Sequence, residues 1–236
     1  LLVCNAYPSR SPVVIKKNEQ AMLVDGSQPL AFGECRELSS RVQQHDRLVL
    51  GLRDNELHGT FEVGELPTTD AVLLLVLEKR EGSVLMGFQS FAFASHSDDK
   101  DAQLAVIDTF RGNSSAPHLK MEDHVTGKEK QTVSKRIEQL NFNRVYSVEE
   151  GNYDASIGDK GRGSAELEQQ LELNTKRSLH LTRNQNYVVL RIGGDGPEFP
   201  EALVVYPEGL VGKSGSARHA LSWLAAALVA AVALRA

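Results

Sequence analysis

The sequence predicts a mainly β protein, an antiparallel β-sandwich or barrel-like domain followed by one C-terminal apolar helix. Three observations lead there. Short runs rich in Val, Leu, Ile and Phe recur about every ten residues between Gly, Pro, Asn and Asp, the spacing of an antiparallel sandwich or barrel. Regular helical patterns do not separate these runs, which argues against a doubly wound sheet, and no repeat of fixed period is visible. A stretch of 15 uncharged residues at 220–234 then closes the chain.

Taken in order, strands are expected at 12–16, 21–24, 47–52, 58–63, 71–78, 84–93 and 103–110. Later ones are expected at 140–148, 179–182, 187–192 and 203–206. Asp25-Gly26, Glu81-Gly82 and the run from Gly193 to Pro197 supply the breaks between them. Residues 71–77 are almost continuously apolar, which predicts a strand buried on both faces. Leu140, Phe142, Tyr146 and Val148 share one parity, which predicts one face in water. Val133 and Ile137 stand four apart and permit a surface helix over 128–139, and Leu167 with Leu171 permits a short one after the glycines at 158, 161 and 163.

The chain has 236 residues, a length at which β-rich folds form one unit. The expected division is an N-terminal segment at 1–12, a β-rich globular domain at 13–210, and a linker with the apolar helix at 211–236. Leu1-Leu2-Val3-Cys4 reads either as the remnant of a presequence or as an ordinary first strand. With 26 basic and 31 acidic residues spread along the chain, no basic stripe exists for a phosphate backbone, and nucleic acid is excluded as a partner. Two cysteines, Cys4 and Cys35, are too few for a structural zinc site. They are read either as free thiols or as one disulfide, worth about 3 to 4 kcal/mol in the chain-entropy model.

The C-terminal stretch would be a helix about 22 Å long against a hydrocarbon thickness of about 30 Å. Arg218 and Arg235 can snorkel to the two interfaces, and Trp223 can sit at one headgroup layer, so the shortfall is tolerable. Leu221, Leu224, Leu228, Val232 and Leu234 would complete this anchor. Only Ser222 interrupts its apolar surface, whereas a helix lying on a domain normally shows a charged face. Its 7 alanines suit close packing against other transmembrane helices. The alternatives are a helix buried against the domain, and a glycolipid-anchor signal after Ser214-Gly215-Ser216, against which the ending Arg235-Ala236 counts.

No motif carries chemistry. Residues 207–214 resemble a phosphate-binding loop but place Pro207 where the first glycine is required, so nucleotide is not expected. His118 with Glu122, Asp123 and His124, and His96 with Asp98 and Asp99, are the two histidine–carboxylate groupings, and both are read as solvated loops rather than metal sites. No Gly-x-Ser-x-Gly elbow or catalytic-cysteine signature occurs, and the chain is read as non-catalytic. Asn113-Ser114-Ser115 is a glycosylation sequon that matters only on a secretory route.

Four phrases, GTFEVGELP at 59–67, FQSFAF at 88–93, AVIDTFRG at 105–112 and NYVVLR at 186–191, resemble an accessory photosystem I subunit family of algae with peridinin-type plastids. The likeness spans about 13–206 and transfers no functional residue. It implies a non-catalytic subunit of the thylakoid membrane. The β domain would cover one membrane face, and the tail would pack in the bilayer among photosystem core or antenna helices. Chlorophyll or carotenoid would then contact the tail, with His219 the one candidate pigment contact. The alternatives are a cell-surface or secreted β-sandwich that binds a protein or glycan at the plasma membrane, and an enzyme of unidentified type. Lys213, Arg218 and His219 before the tail place the domain on the stromal or cytoplasmic side, whereas a presequence would place it on the other.

Overall fold

The computed structural model describes residues 1–21, 29–54, 56–94, 101–113, 118–123, 137–157 and 174–208. The chain is mainly β. Its first half forms β1 (Leu2–Asn5), β2 (Val13–Lys17), β3 (Gln20–Ala21), β4 (Cys35–Glu37), β5 (Arg47–Leu52), β6 (His58–Glu62), β7 (Ala71–Lys79) and β8 (Met86–Ala94). The second forms β9 (Ala102–Asp108), β10 (His118–Asp123), β11 (Ile137–Asn141), β12 (Arg144–Val148), β13 (Gly151–Ile157), β14 (Lys176–Leu181), β15 (Asn186–Ile192) and β16 (Ala202–Tyr206).

The two halves are the same fold twice. The first builds sheets ordered β4-β1-β7-β8 and β3-β2-β5-β6, and the second builds β12-β9-β15-β16 and β11-β10-β13-β14. Adding eight to every strand number turns one pair of sheets into the other. Directions agree too: β1 runs parallel to β7 and β9 parallel to β15, and the other strand pairings are antiparallel. The antiparallel expectation is therefore corrected to mixed sheets at these two pairs. No fixed sequence period announces this duplication, because the repeat lies in topology and in a few hydrogen bonds. Tyr7 N–H donates to Asn5 Oδ1 at 2.9 Å, and Phe110 N–H donates to Asp108 Oδ1 at 2.9 Å. Ala6 N–H donates to the Leu77 carbonyl at 2.8 Å, as Thr109 N–H does to that of Arg191 at 2.9 Å. Val-Cys-Asn-Ala-Tyr at 3–7 and Val-Ile-Asp-Thr-Phe at 106–110 are thus equivalent strand ends.

Three apolar cores hold four layers together. Val3, Leu75 and Leu77 face Val13, Ile15, Leu48, Leu50 and Leu52 inside the first sandwich. Leu104, Val106 and Val189 face Leu119, Met121, Ala155, Ile157, Leu179 and Leu181 inside the second. The opposite faces of the inner sheets meet each other, bringing Leu2, Cys4, Leu74, Val76 and Phe93 against Ala105, Ile107, Val188, Leu190 and Ile192. Period-two alternation sends Leu75 and Leu77 to one core and Leu74 and Val76 to another, so the strand predicted over 71–78 is buried on both faces as expected. The pseudo-twofold is visible at the rims: Phe32, just before β4, meets Phe199, just before β16, edge to face at 5.0 Å, while β8 lies beside β12 at the other rim. Arg111 Nη2 donates to Glu78 Oε2 at 2.8 Å across the same junction.

Several local expectations change. The strand predicted over 140–148 is two strands, β11 and β12, which belong to the outer and the inner sheet of the second half and are joined by a turn at Asn143, whose φ of 61° is one that asparagine tolerates. Leu140, Phe142, Tyr146 and Val148 still reach one core across that turn. Ile137, Glu138 and Gln139 lie in β11, which removes the end of the helix expected over 128–139; its remainder, and the helix around Leu167 and Leu171, fall outside the described residues. Leu2–Asn5 is a core strand, the second of the two readings of that segment. β4 and β13 were not expected, being short, glycine-flanked or rich in polar residues.

A polar knot closes the turn into β5. Gln43 N–H donates to Asp46 Oδ2 at 2.8 Å, Asn18 Nδ2 donates to Asp46 Oδ1 at 2.8 Å, and Lys17 Nζ stands 3.5 Å from Oδ2. The Gln43 amide first, then the Asn18 amide and Lys17, hold the Asp46 carboxyl below its ordinary value. A depressed carboxyl stabilises the fold fully above the unfolded pKa of about 4, and that contribution is lost as pH falls through the lower folded value. Asp46→Asn should therefore flatten the fall in urea midpoint below about pH 4 while changing its slope little near neutrality.

Candidate functional site

Cys4 and Cys35 sit directly opposite each other in β1 and β4 and are bonded, with Cα atoms 4.0 Å apart. Backbone bonds join Leu38 N–H to the Leu1 carbonyl and Asn5 N–H to the Glu34 carbonyl. By alternation, Cys4 and Cys35 occupy a non-hydrogen-bonded pair, where side chains are closest across an antiparallel ladder. The disulfide ties the short edge strand β4 to the centre of its sheet, and Cys4 is fully buried against the second half.

The predicted anchor, Arg218, Leu221, Trp223, Leu224, Leu228, Val232, Leu234 and Arg235, and the pigment candidate His219 lie outside the described residues. So do His96, Asp98, Asp99 and His124, and residues 209–214 of the phosphate-loop-like segment. The solvated-loop reading of His118, Glu122 and Asp123 is corrected: all three lie on β10. Four residue steps of strand set the backbone of His118 and Glu122 about 13 Å apart, too far for a compact site on one metal ion. Glu122 instead pairs with Lys120 at 2.8 Å. The remaining histidines bond locally, His45 Nδ1 to Glu62 Oε1 at 2.7 Å, His58 Nδ1 to the Glu56 carbonyl at 2.8 Å, and His180 Nδ1 to Asn152 Oδ1 at 2.8 Å. Among the described residues no group of three His, Cys, Asp or Glu side chains converges as a metal site.

Among the described residues the most deeply buried charge is Arg191 on β15. Its Nε donates to Glu201 Oε1 at 2.8 Å, its Nη1 to Asp108 Oδ2 at 2.9 Å, and its guanidinium lies 4.3 Å from the Phe110 ring centre. Every charge in this cluster has a partner, so it acts as a fixed polar plug at one end of the second core. Its counterpart in the first half is Leu77, which matches Arg191 in register against Asn5 and Asp108.

Among the described residues, clefts open between the layers of each half. The first, about 470 Å³, lies where β6 and the segment after it stand over β8; Leu48, Phe61, Val63, Leu66, Leu75 and Phe88 line it, and Glu62 and Glu65 are its only charged side chains among the described residues. The second, about 340 Å³, belongs to the second sandwich and has Asp101, Asp123, Glu138 and Glu149 at its mouth, with Tyr146 and Tyr153. The apolar cleft suits side chains of another polypeptide, since apolar walls with few polar groups favour burial over chemistry. Sequence reading found its walls as strands but not the cleft, because 58–63 and 84–93 become neighbours only through the stacking of two sheets.

No protein-family model matches this chain, and no curated protein matches it.

Proposed function

We propose that this chain is a non-catalytic structural subunit, held at a membrane by its C-terminal apolar stretch and docked to the subunits of a larger membrane complex. Photosystem I in a plastid thylakoid is the complex implied by the family resemblance. The observation that carries the reading is the uncharged segment at 220–234, bounded by Arg218 and Arg235, joined to a rigid doubled sandwich that offers an apolar cleft. The chemistry asked of such a subunit is adhesion, and the buried charge of Arg191 is committed to holding its own fold. In native tissue extracted with mild detergent, the chain should migrate with a pigment–protein complex on a native gel. A monomer that stays in the aqueous fraction without detergent contradicts the proposal.

A second reading, a cell-surface or secreted module that binds a protein or glycan, is favoured by two observations. Cys4 and Cys35 are bonded, as is usual in an oxidising compartment, and Asn113 of the sequon is exposed. A glycosidase that removes N-linked glycans separates the readings. A mass shift that Asn113→Gln abolishes selects the cell surface, and an unshifted native chain selects the plastid.

A further inference from the structure

We infer that β8 is a strand-addition site. It accepts an extended segment of a partner polypeptide, apolar at alternate positions and basic at one end, whose side chains enter the adjoining apolar cleft. The inference rests on the docking role proposed above and names how the docking occurs.

The first ground is the composition of the edge. β8 has 9 residues, Met-Gly-Phe-Gln-Ser-Phe-Ala-Phe-Ala, and none is charged. Among the described residues it is the last strand of its sheet and pairs with β7 alone. Proteins normally protect such an edge with charges, proline or brevity, because its free N–H and C=O groups template pairing with another chain. Most other edges here follow that rule: β6 carries His58 and Glu62, β12 carries Arg144, β14 carries Lys176 and Arg177, and β4 has three residues. Among the described residues, β16, its five-residue counterpart in the second half, is the other uncharged edge longer than two residues.

The second ground is the direction of the backbone. Arg80 N–H donates to the Leu85 carbonyl, and the register pairs Leu77 with Phe88, Leu75 with Ser90 and Leu73 with Ala92. By the alternation of an antiparallel ladder, the Phe88, Ser90 and Ala92 amides and carbonyls then point away from β7. The opposite strand agrees, since the Leu77 carbonyl points to β1 and accepts from Ala6 N–H at 2.8 Å. Ser90 and Ala92 are exposed. One step further along, Gln103 already imitates an added strand: its carboxamide accepts from Ala94 N–H at 2.9 Å and donates to the Ala94 carbonyl at 2.8 Å. An incoming peptide would repeat that pair of bonds at Ala92, Ser90 and Phe88.

The third ground is the cleft beside the edge. Phe88, Ser90 and Ala92 line it, so every second side chain of an added strand would enter it against Phe61, Val63 and Leu66. Among the described residues, the charged side chains on its walls are Glu65 and Glu62, the latter bonded to His45, and this acidic end favours a neutral segment with a lysine or arginine at one end.

The test uses the full chain in mild detergent and a synthetic decapeptide of alternating valine and threonine ending in two lysines. A second peptide carries N-methyl groups on alternate residues, so that the edge which would face β8 cannot donate. Ser90→Pro removes an outward N–H without removing a ladder bond to β7, and Ala92→Lys places a charge on the edge with the backbone intact; far-UV circular dichroism confirms both folds. The inference predicts binding of the first peptide, slowed hydrogen exchange at Phe88, Ser90 and Ala92, and roughly tenfold or greater weakening by the N-methyl groups and by each variant. Absent binding, binding indifferent to both variants, or exchange protection elsewhere overturns it. A concentration-dependent dimer that both variants dissolve also overturns it, by assigning the edge to a second copy of the chain. Because these readouts do not involve the native complex, peptide binding can fail while co-migration holds, and the reverse.

Discussion

Arg191→Leu alone is expected to destabilise the protein by about 3 to 5 kcal/mol, whereas the same change combined with Asp108→Asn and Glu201→Met should recover most of that loss. Arg191 is 2% exposed and Glu201 5%, so removing the guanidinium strands a carboxylate that has almost no access to water. Desolvation of an unpaired buried charge outweighs the apolar area gained by leucine. The compensating substitutions follow from the duplication. Leu77 and Asn5 hold the positions of Arg191 and Asp108, while Met86 stands two residues before Phe88 as Glu201 stands two before Leu203. The triple variant therefore rebuilds the apolar corner that already exists in the first half. Thermal melts check it: at about 2 to 4 °C per kcal/mol for a chain of this size, the single variant should melt about 10 °C lower and the triple close to wild type. Equal loss in both would mean that the two halves are not equivalent at this corner.

Leu190→Ala is the second large effect, expected to cost about 2 to 5 kcal/mol as a cavity in a fully buried site. Leu190 belongs to the second half, yet it packs in the core shared with Leu2, Leu74 and Val76 of the first. The loss should therefore appear in both halves at once. Hydrogen exchange under native conditions measures this directly. Amides of β7 and β15 should lose protection in parallel, whereas independent sandwiches would confine the loss to strands of the second half.

Much of the layering can be read in residue order. β7 is Ala-Val-Leu-Leu-Leu-Val-Leu before its charged end, and β15 is apolar from Tyr187 to Leu190, because inner sheets bury both faces. β14, with Lys176, Ser178 and His180 alternating against Arg177, Leu179 and Leu181, keeps one face in water. A single strand reveals that it is inner or outer, but not which strand covers it. The duplication stays hidden because the equivalent residues keep only their physical role. Val3 matches Val106, Asn5 matches Asp108 and Tyr7 matches Phe110, while Leu77 against Arg191 exchanges an aliphatic side chain for a paired cation. The two carboxamide or carboxylate oxygens that accept from Tyr7 and Phe110 were the most direct signal available, an Asx turn after an apolar strand in each half.

The candidate site was less visible for a related reason. Residues 84–93 read as a strand, and their freedom from charge is plain in the sequence, but an edge is a property of the sheet. Only when β7 is found between β1 and β8 does the composition of β8 become unusual. β10 went unread because His118, Lys120, Glu122 and Asp123 disguise the alternation of Leu119 and Met121, the two residues that reach the core.

All of this depends on the two inner sheets packing back to back. Methyl-to-methyl nuclear Overhauser effects on selectively labelled chain test that contact most directly. Cross-peaks linking Leu74 and Val76 to Ile107, Val188 or Leu190 are expected, since the shared core brings these side chains together. If the methyls of each half correlate only with their own half, the four-layer account is contradicted.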